Sequence, residues 1–336
     1  MKTDTSDKII SYISEKKQTS PKELIDFLLI SPQALFRQLK KLQEQGLIAK
    51  IGRPPRVLYS LASSPIKEQA LITWKAGEKT IIDREFLHVT PRGELLFGAE
   101  GFVAWCYERK LDPQKIGHEY VATLQKYDQF KKNGLIDGLP KMKTTFAEVF
   151  LDELYYLDFY SIERFGKTRL GTLLLLAKQT QDKTLMQQIF TLIMNRIMTL
   201  IQEKEISGVC FVPPTIPRNV QFQKELDRAL LGAFSATRGA GQFLPRIHIT
   251  KITGTVAIPQ KSLSRLDDRV ENARTTMLVT DSRQYGNVLI IDDAVGSGAT
   301  MNELARKLRE KRIVSGKIIG LAITGSFKGF DVVQEV

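Results

Sequence analysis

Cysteine is scarce in this 336-residue chain, and the two present, Cys106 and Cys210, lie far apart. Neither has Cys or His neighbours at ligand spacing, which argues against a zinc site and a disulfide framework and predicts two buried small hydrophobes. Long apolar runs are also missing. The longest, near Leu173 to Ala177, is far too short to span a bilayer. The N-terminal stretch from Met1 to Lys8 is polar where a signal peptide needs an apolar core, so a cytoplasmic location without a membrane partner is expected. No internal repeat or low-complexity tract appears, and 43% hydrophobic with 26% charged residues speaks against wholesale disorder. Acid is short relative to base: the net charge of +12 points toward a polyanionic partner. The length exceeds that of a usual single core, so two domains with a helical spacer are expected.

The positive charge is concentrated. Between Ser31 and Arg56, Arg37, Lys40, Lys41, Lys50, Arg53 and Arg56 face one acid, Glu44. Upstream, Ile9, Ile10 and Ile13 lie on one helical face, and Ser20-Pro21 followed by Ser31-Pro32 gives two helix starts. Leu35, Leu39 and Leu42 then repeat at helical spacing, and two short apolar strands flank the tip Gly52-Arg53-Pro54-Pro55-Arg56. Three helices and a basic hairpin predict a winged helix-turn-helix over residues 1–64, resembling winged-helix bacterial regulators. In such a module the second helix of the pair enters the major groove, which nominates Gln33, Arg37, Gln38 and Lys41 for bases or phosphates, and Arg53 and Arg56 for the neighbouring backbone or minor groove. DNA is the expected partner. Paired half-sites make a homodimer the expected assembly.

Residues 65–154 predict a mostly helical linker, with a possible strand at Thr80 to Ile82 and an exposed loop from Asp128 to Lys143. From 155 to 336, helices alternate with short apolar runs, predicting an α/β domain with a mainly parallel sheet. Its strongest chemical signal is Val288-Leu289-Ile290-Ile291-Asp292-Asp293-Ala294-Val295-Gly296-Ser297-Gly298-Ala299-Thr300. Four apolar residues predict a buried strand, whose C-terminal end in an open α/β sheet faces ligands. Gly296 and Gly298 let backbone N–H groups approach an anion, Ser297 and Thr300 add hydroxyls, and the following helix presents its positive end. The acids would repel a bare phosphate and so suggest a ligand with hydroxyls, or bound Mg²⁺.

This segment resembles the phosphoribosyl-pyrophosphate (PRPP) motif of type I phosphoribosyltransferases. The resemblance implies that Asp292 and Asp293 hold the ribose hydroxyls and that Ala294, Val295, Gly296, Ser297, Gly298, Ala299 and Thr300 form the 5-phosphate loop, with Mg²⁺ arriving alongside PRPP. The stretch Ile252 to Ala273 is similar to that preceding the motif in the ComF competence-protein family. By that likeness a flexible loop carrying Lys251, Lys261, Arg265, Arg269 and Arg274 covers the pyrophosphate, and Pro214 and Thr215 belong to a pyrophosphate-contacting loop with Arg218 nearby. Pro213-Pro214-Thr215 departs from the family pattern, and the cysteine zinc finger common at the N-terminus of ComF-type proteins is absent. The domain order instead resembles that of the PRPP-responsive purine repressors of Gram-positive bacteria. Two readings follow: a DNA-binding transcriptional regulator that binds PRPP or a nucleotide, and an active phosphoribosyltransferase localised by its winged helix. No residue identifies itself as catalytic or as recognising an acceptor.

Overall fold

Two residue-level signals build the first helix pair. Ser20 Oγ accepts from Glu23 N–H at 3.3 Å while Glu23 Oε2 accepts from Ser20 N–H at 2.6 Å, a reciprocal capping box that starts a helix at Pro21. Ser31 Oγ accepts from Ala34 N–H at 3.3 Å and starts the next. The computed structural model describes residues 5–16, 18–44, 47–53, 56–61, 72–214, 216, 218–238, 244–252 and 266–326. It divides into two units, residues 1–74 with 103–114, and residues 75–102 with 115–336.

In the first unit, α1 (Thr5–Lys16), β1 (Gln18–Thr19), α2 (Pro21–Leu28) and α3 (Pro32–Glu44) precede the hairpin β2 (Ile48–Arg53) and β3 (Arg56–Leu61). Ile9, Ile13, Leu24, Leu35, Leu39, Leu42, Ile48 and Tyr59 form one buried cluster, so all three helices pack on the hairpin. β1 was not foreseen: Gln18 and Thr19 pair with Ser60 and Tyr59, giving a three-stranded sheet in the order β1-β3-β2. The result is a winged helix-turn-helix.

The second unit follows with α4 (Ala76–Glu85), the hairpin β4 (Leu87–Val89) and β5 (Leu95–Phe97), α5 (Gly98–Glu108), which runs on into the first unit, and α6 (Pro113–Asp128). The strand expected at Thr80 to Ile82 lies inside α4. Glu78 accepts from Lys75 N–H at 3.1 Å, Lys79 pairs with Asp83 at 2.6 Å, and Ile82 is fully buried, so capping and burial outweigh the strand preference of three β-branched residues. The loop expected from Asp128 to Lys143 is likewise structured. It holds β6 (Lys131–Lys132), β7 (Leu135–Asp137) and the start of α7 (Leu139–Thr145). Asn133 and Gly134, at φ 51° and 75°, make the two-residue turn that joins these strands.

The remaining elements are β8 (Glu153–Phe159), β9 (Ser161–Ile162), β10 (Gly166–Lys167), α8 (Arg169–Thr180), α9 (Lys183–Glu203), β11 (Ile206–Phe211), α10 (Phe222–Arg238), β12 (Ile249–Lys251), α11 (Leu266–Thr276), β13 (Met277–Val279), β14 (Asn287–Val295), α12 (Ala299–Glu310) and β15 (Ile318–Gly325). The central sheet has the order β11-β14-β15-β8-β7-β6. The first four strands are parallel and the last two antiparallel, so the sheet is mixed and draws β6 and β7 from residues read as linker. On one face, Leu173 of α8, Ile189, Ile193 and Ile197 of α9, and Leu226 and Leu230 of α10 cluster with Leu289, Ile291, Ile319 and Leu321. α12 covers the other face, where Met301 Sδ lies 3.2 Å from the point a Cβ on Gly320 would occupy.

Candidate functional site

Because β11, β14, β15 and β8 are parallel, their C-terminal ends share one edge, the side on which open α/β sheets bind ligands. There β14 passes through the two acids to Val295, and Gly296-Ser297-Gly298 leads into α12. The strand is thus longer than expected, and the acids lie within it rather than beyond it. Gly298 precedes α12 at φ 84°, and a Cβ there would meet Met142 Sδ of α7 at 3.1 Å, so both backbone and space require glycine. No side chain of Gly298 can cap the helix, and Ser297 Oγ accepts only a long bond, 3.4 Å, from Ala299 N–H. The positive end of a 12-residue helix therefore faces this edge.

Strand alternation sends the adjacent acids to opposite faces. Asp293 follows Leu289 and Ile291 to the α8–α10 side, where it is only 7% exposed. Its Oδ2 meets Lys178 Nζ at 2.9 Å and accepts from Gln223 Nε2 at 2.8 Å. Asp292 turns toward the α12 side, and its Oδ1 accepts from Asp293 N–H at 2.8 Å. The expected pair is therefore split between the two faces of the sheet, and the Asp293 carboxylate is neutralised by a lysine whose side chain is 12% exposed. Lys178 and Gln223 were missed in the sequence. The signal available for Lys178 was a cation at the end of the apolar run Leu173 to Ala177, inside a helix that must be buried.

The other expected phosphate-site residues are more scattered. Pro214 is exposed just beyond the end of β11, where Val212 N–H donates to Ile291 O at 2.9 Å. Thr215, Lys261 and Arg265 lie outside the described residues. Arg269 and Arg274 belong to α11 and not to a loop, since Leu266 to Thr276 contains no Gly or Pro to break a helix. Arg274 pairs with Glu271 at 3.5 Å and with the buried Glu303 at 3.7 Å. Lys251 ends β12. Among the described residues no three ligating side chains are grouped for a metal, and no helix is long and apolar enough to cross a membrane. Both cysteines are buried as expected, and burial pushes the Cys210 thiol up, which keeps it unreactive.

In the winged helix, Leu35, Leu39 and Leu42 turn α3 so that Gln33, Arg37 and Lys41 are exposed. Gln38 is not on that surface: it is half-buried, and its Oε1 accepts from Ser6 Oγ of α1 at 3.1 Å. Phe36 and Lys40 take its place on the outward face. Arg53 and Arg56 face each other as the last register pair of the hairpin, with Pro54 and Pro55 between them outside the described residues. On α3 the exposed Arg37, Lys40 and Lys41 form a basic face, and in a helix-turn-helix this second helix is the one that enters a major groove. No curated protein matches the chain. Residues 9–56 do match the MarR family, and this N-terminal segment is a MarR-family winged helix, the module of DNA-binding transcriptional regulators.

Proposed function

We propose that the chain is a DNA-binding regulator whose α/β domain binds PRPP or a related ribose 5-phosphate nucleotide at the β14–α12 junction. The observation that carries this reading is the junction itself: a glycine-gated loop and a helix end without a side-chain cap, following an acid-bearing strand, at the ligand-facing ends of the sheet's parallel strands. Backbone amides of the loop and helix suit the 5-phosphate, and Asp292 suits a ribose hydroxyl, which it would accept as a hydrogen bond. Asp293, already engaged by Lys178 and Gln223, holds the floor of the site on the opposite face. A pyrophosphate-bearing ligand would bring Mg²⁺ on its own oxygens.

Calorimetric titration of the full chain with PRPP and Mg²⁺ tests the reading. Saturable binding by the wild type, weakened about tenfold or more by Asp292→Asn, is expected, because one charged hydrogen bond to the ligand is worth roughly 1.5–3 kcal/mol. Equal affinity in the variant sinks the site. The same complex is then incubated with nucleobases and amines while pyrophosphate is measured. Release of pyrophosphate would make the domain an active phosphoribosyltransferase carrying a DNA-binding module.

A further inference from the structure

We propose that Phe36 reads a thymine through its 5-methyl group in the major groove, an assignment that rests on the DNA-binding reading of this winged helix. Phe36 sits on α3 between Leu35, which is fully buried, and Arg37, which is exposed. Half of its surface is exposed. Phe27 of α2 is equally exposed, yet it stacks on Tyr12 with ring centroids 4.2 Å apart. Among the described residues Phe36 makes no such ring contact. An aromatic ring left in water on the face that also carries Gln33, Arg37, Lys40 and Lys41 forgoes burial that a core-facing position would give it.

The charges around the ring select its partner. Arg37 and Lys41 have no ion-pair partner among the described residues, and Lys40 reaches Glu44 only at 3.9 Å with both side chains exposed. A second copy of this face would bring like charges together. A membrane surface would need an apolar face, and here a single ring is ringed by polar side chains. The remaining partner is a polyanion that offers one apolar projection between its charges. B-form DNA has that character: phosphates line the groove, and the thymine methyl is the one apolar group on its floor. Gln33 and Arg37, one turn apart on the same exposed face as the ring, can hydrogen-bond neighbouring base edges.

The test begins by selecting a preferred duplex for the full chain from a random-sequence library. Each thymine in it is then replaced in turn by deoxyuridine, which removes only the methyl group. For the wild type, one thymine per half-site is expected to lose about fourfold in affinity, the worth of one buried methyl. Phe36→Ala should bind the thymine duplex more weakly and show no difference between thymine and deoxyuridine at that position, with a thermal midpoint lowered far less than for a fully buried ring because half of Phe36 is exposed. Phe36→Leu should keep part of the discrimination. Arg37→Ala should weaken both duplexes alike. If wild-type binding is indifferent to every deoxyuridine, or Phe36→Ala keeps the discrimination, the assignment falls while DNA binding stands. If no duplex is enriched at all, the DNA-binding reading falls and takes the assignment with it.

Discussion

Leu29 adopts φ 52° at the end of α2 while 90% of it is exposed, and its N–H donates to Ile25 O at 2.9 Å. A left-handed residue with a Cβ is strained by about 1 kcal/mol, and nothing packs on this leucine to offset that. Leu29→Gly should therefore raise stability by about 0.5 kcal/mol after the greater unfolded-state freedom of glycine is subtracted, read as a higher thermal midpoint. A lower midpoint would mean that Leu29 packs in a way its exposure does not reveal. Gly298 presents the opposite case. Gly298→Ala adds a Cβ at φ 84° and presses it against Met142, so it should destabilise the chain by about 1–2 kcal/mol and weaken PRPP binding, measured by denaturant titration and calorimetry. The glycines of this loop were legible because spacing and strand announce them. The neutralisation of Asp293 was not, since Lys178 and Gln223 come from other helices and no local pattern ties a residue on α8 to one on β14.

At the scale of elements, periodic and capped segments were readable and mixed signals were not. α3 declared itself through Leu35, Leu39 and Leu42, whereas α4 hid behind a β-branched triplet. The hairpin β6–β7 carries the strongest short turn signal available, Asn-Gly, but its strands are so short that the flanking lysines and glycines read as loop. The opposite edge of the sheet, away from the ligand side, is fastened by a carboxylate. Burial works against the ionised form of Glu153, yet hydrogen bonds from Lys204, Lys317 and Tyr155 outweigh it and bring the carboxyl down to about 2. Because the folded value lies below the unfolded value of about 4.3, the tie between β8, α9 and β15 is fully present above that unfolded value and is lost as pH falls through the folded one. Glu153→Gln should cost roughly 2 kcal/mol near neutrality, allowing for solvent screening of Lys317, and the difference from wild type should shrink as pH drops from about 4 toward 2. A cost that stays constant with pH would show that Glu153 stabilises by packing and not by charge.

At the scale of the whole molecule, the chain carries a basic MarR-family winged helix and an α/β domain, and the regulatory reading requires that binding at one alter binding at the other. The DNA side is open to a direct check of its charge. Arg53→Ala with Arg56→Ala should lower affinity for duplex DNA and reduce the salt slope of log K by about two, close to one counterion per lost phosphate contact. An unaltered slope would remove the wing tip from the interface. Coupling is the stricter demand, because a ligand shifts an equilibrium only by its difference in affinity for the two states. If saturating PRPP changes the Kd for a selected duplex tenfold, about 1.4 kcal/mol, the duplex must change the Kd for PRPP by the same factor in the same sense. Asp292→Asn should abolish the effect of PRPP on DNA while leaving DNA affinity without PRPP as it was. Should PRPP bind with full affinity and leave the duplex Kd untouched, the two sites are independent, and the α/β domain answers to something other than control of the winged helix.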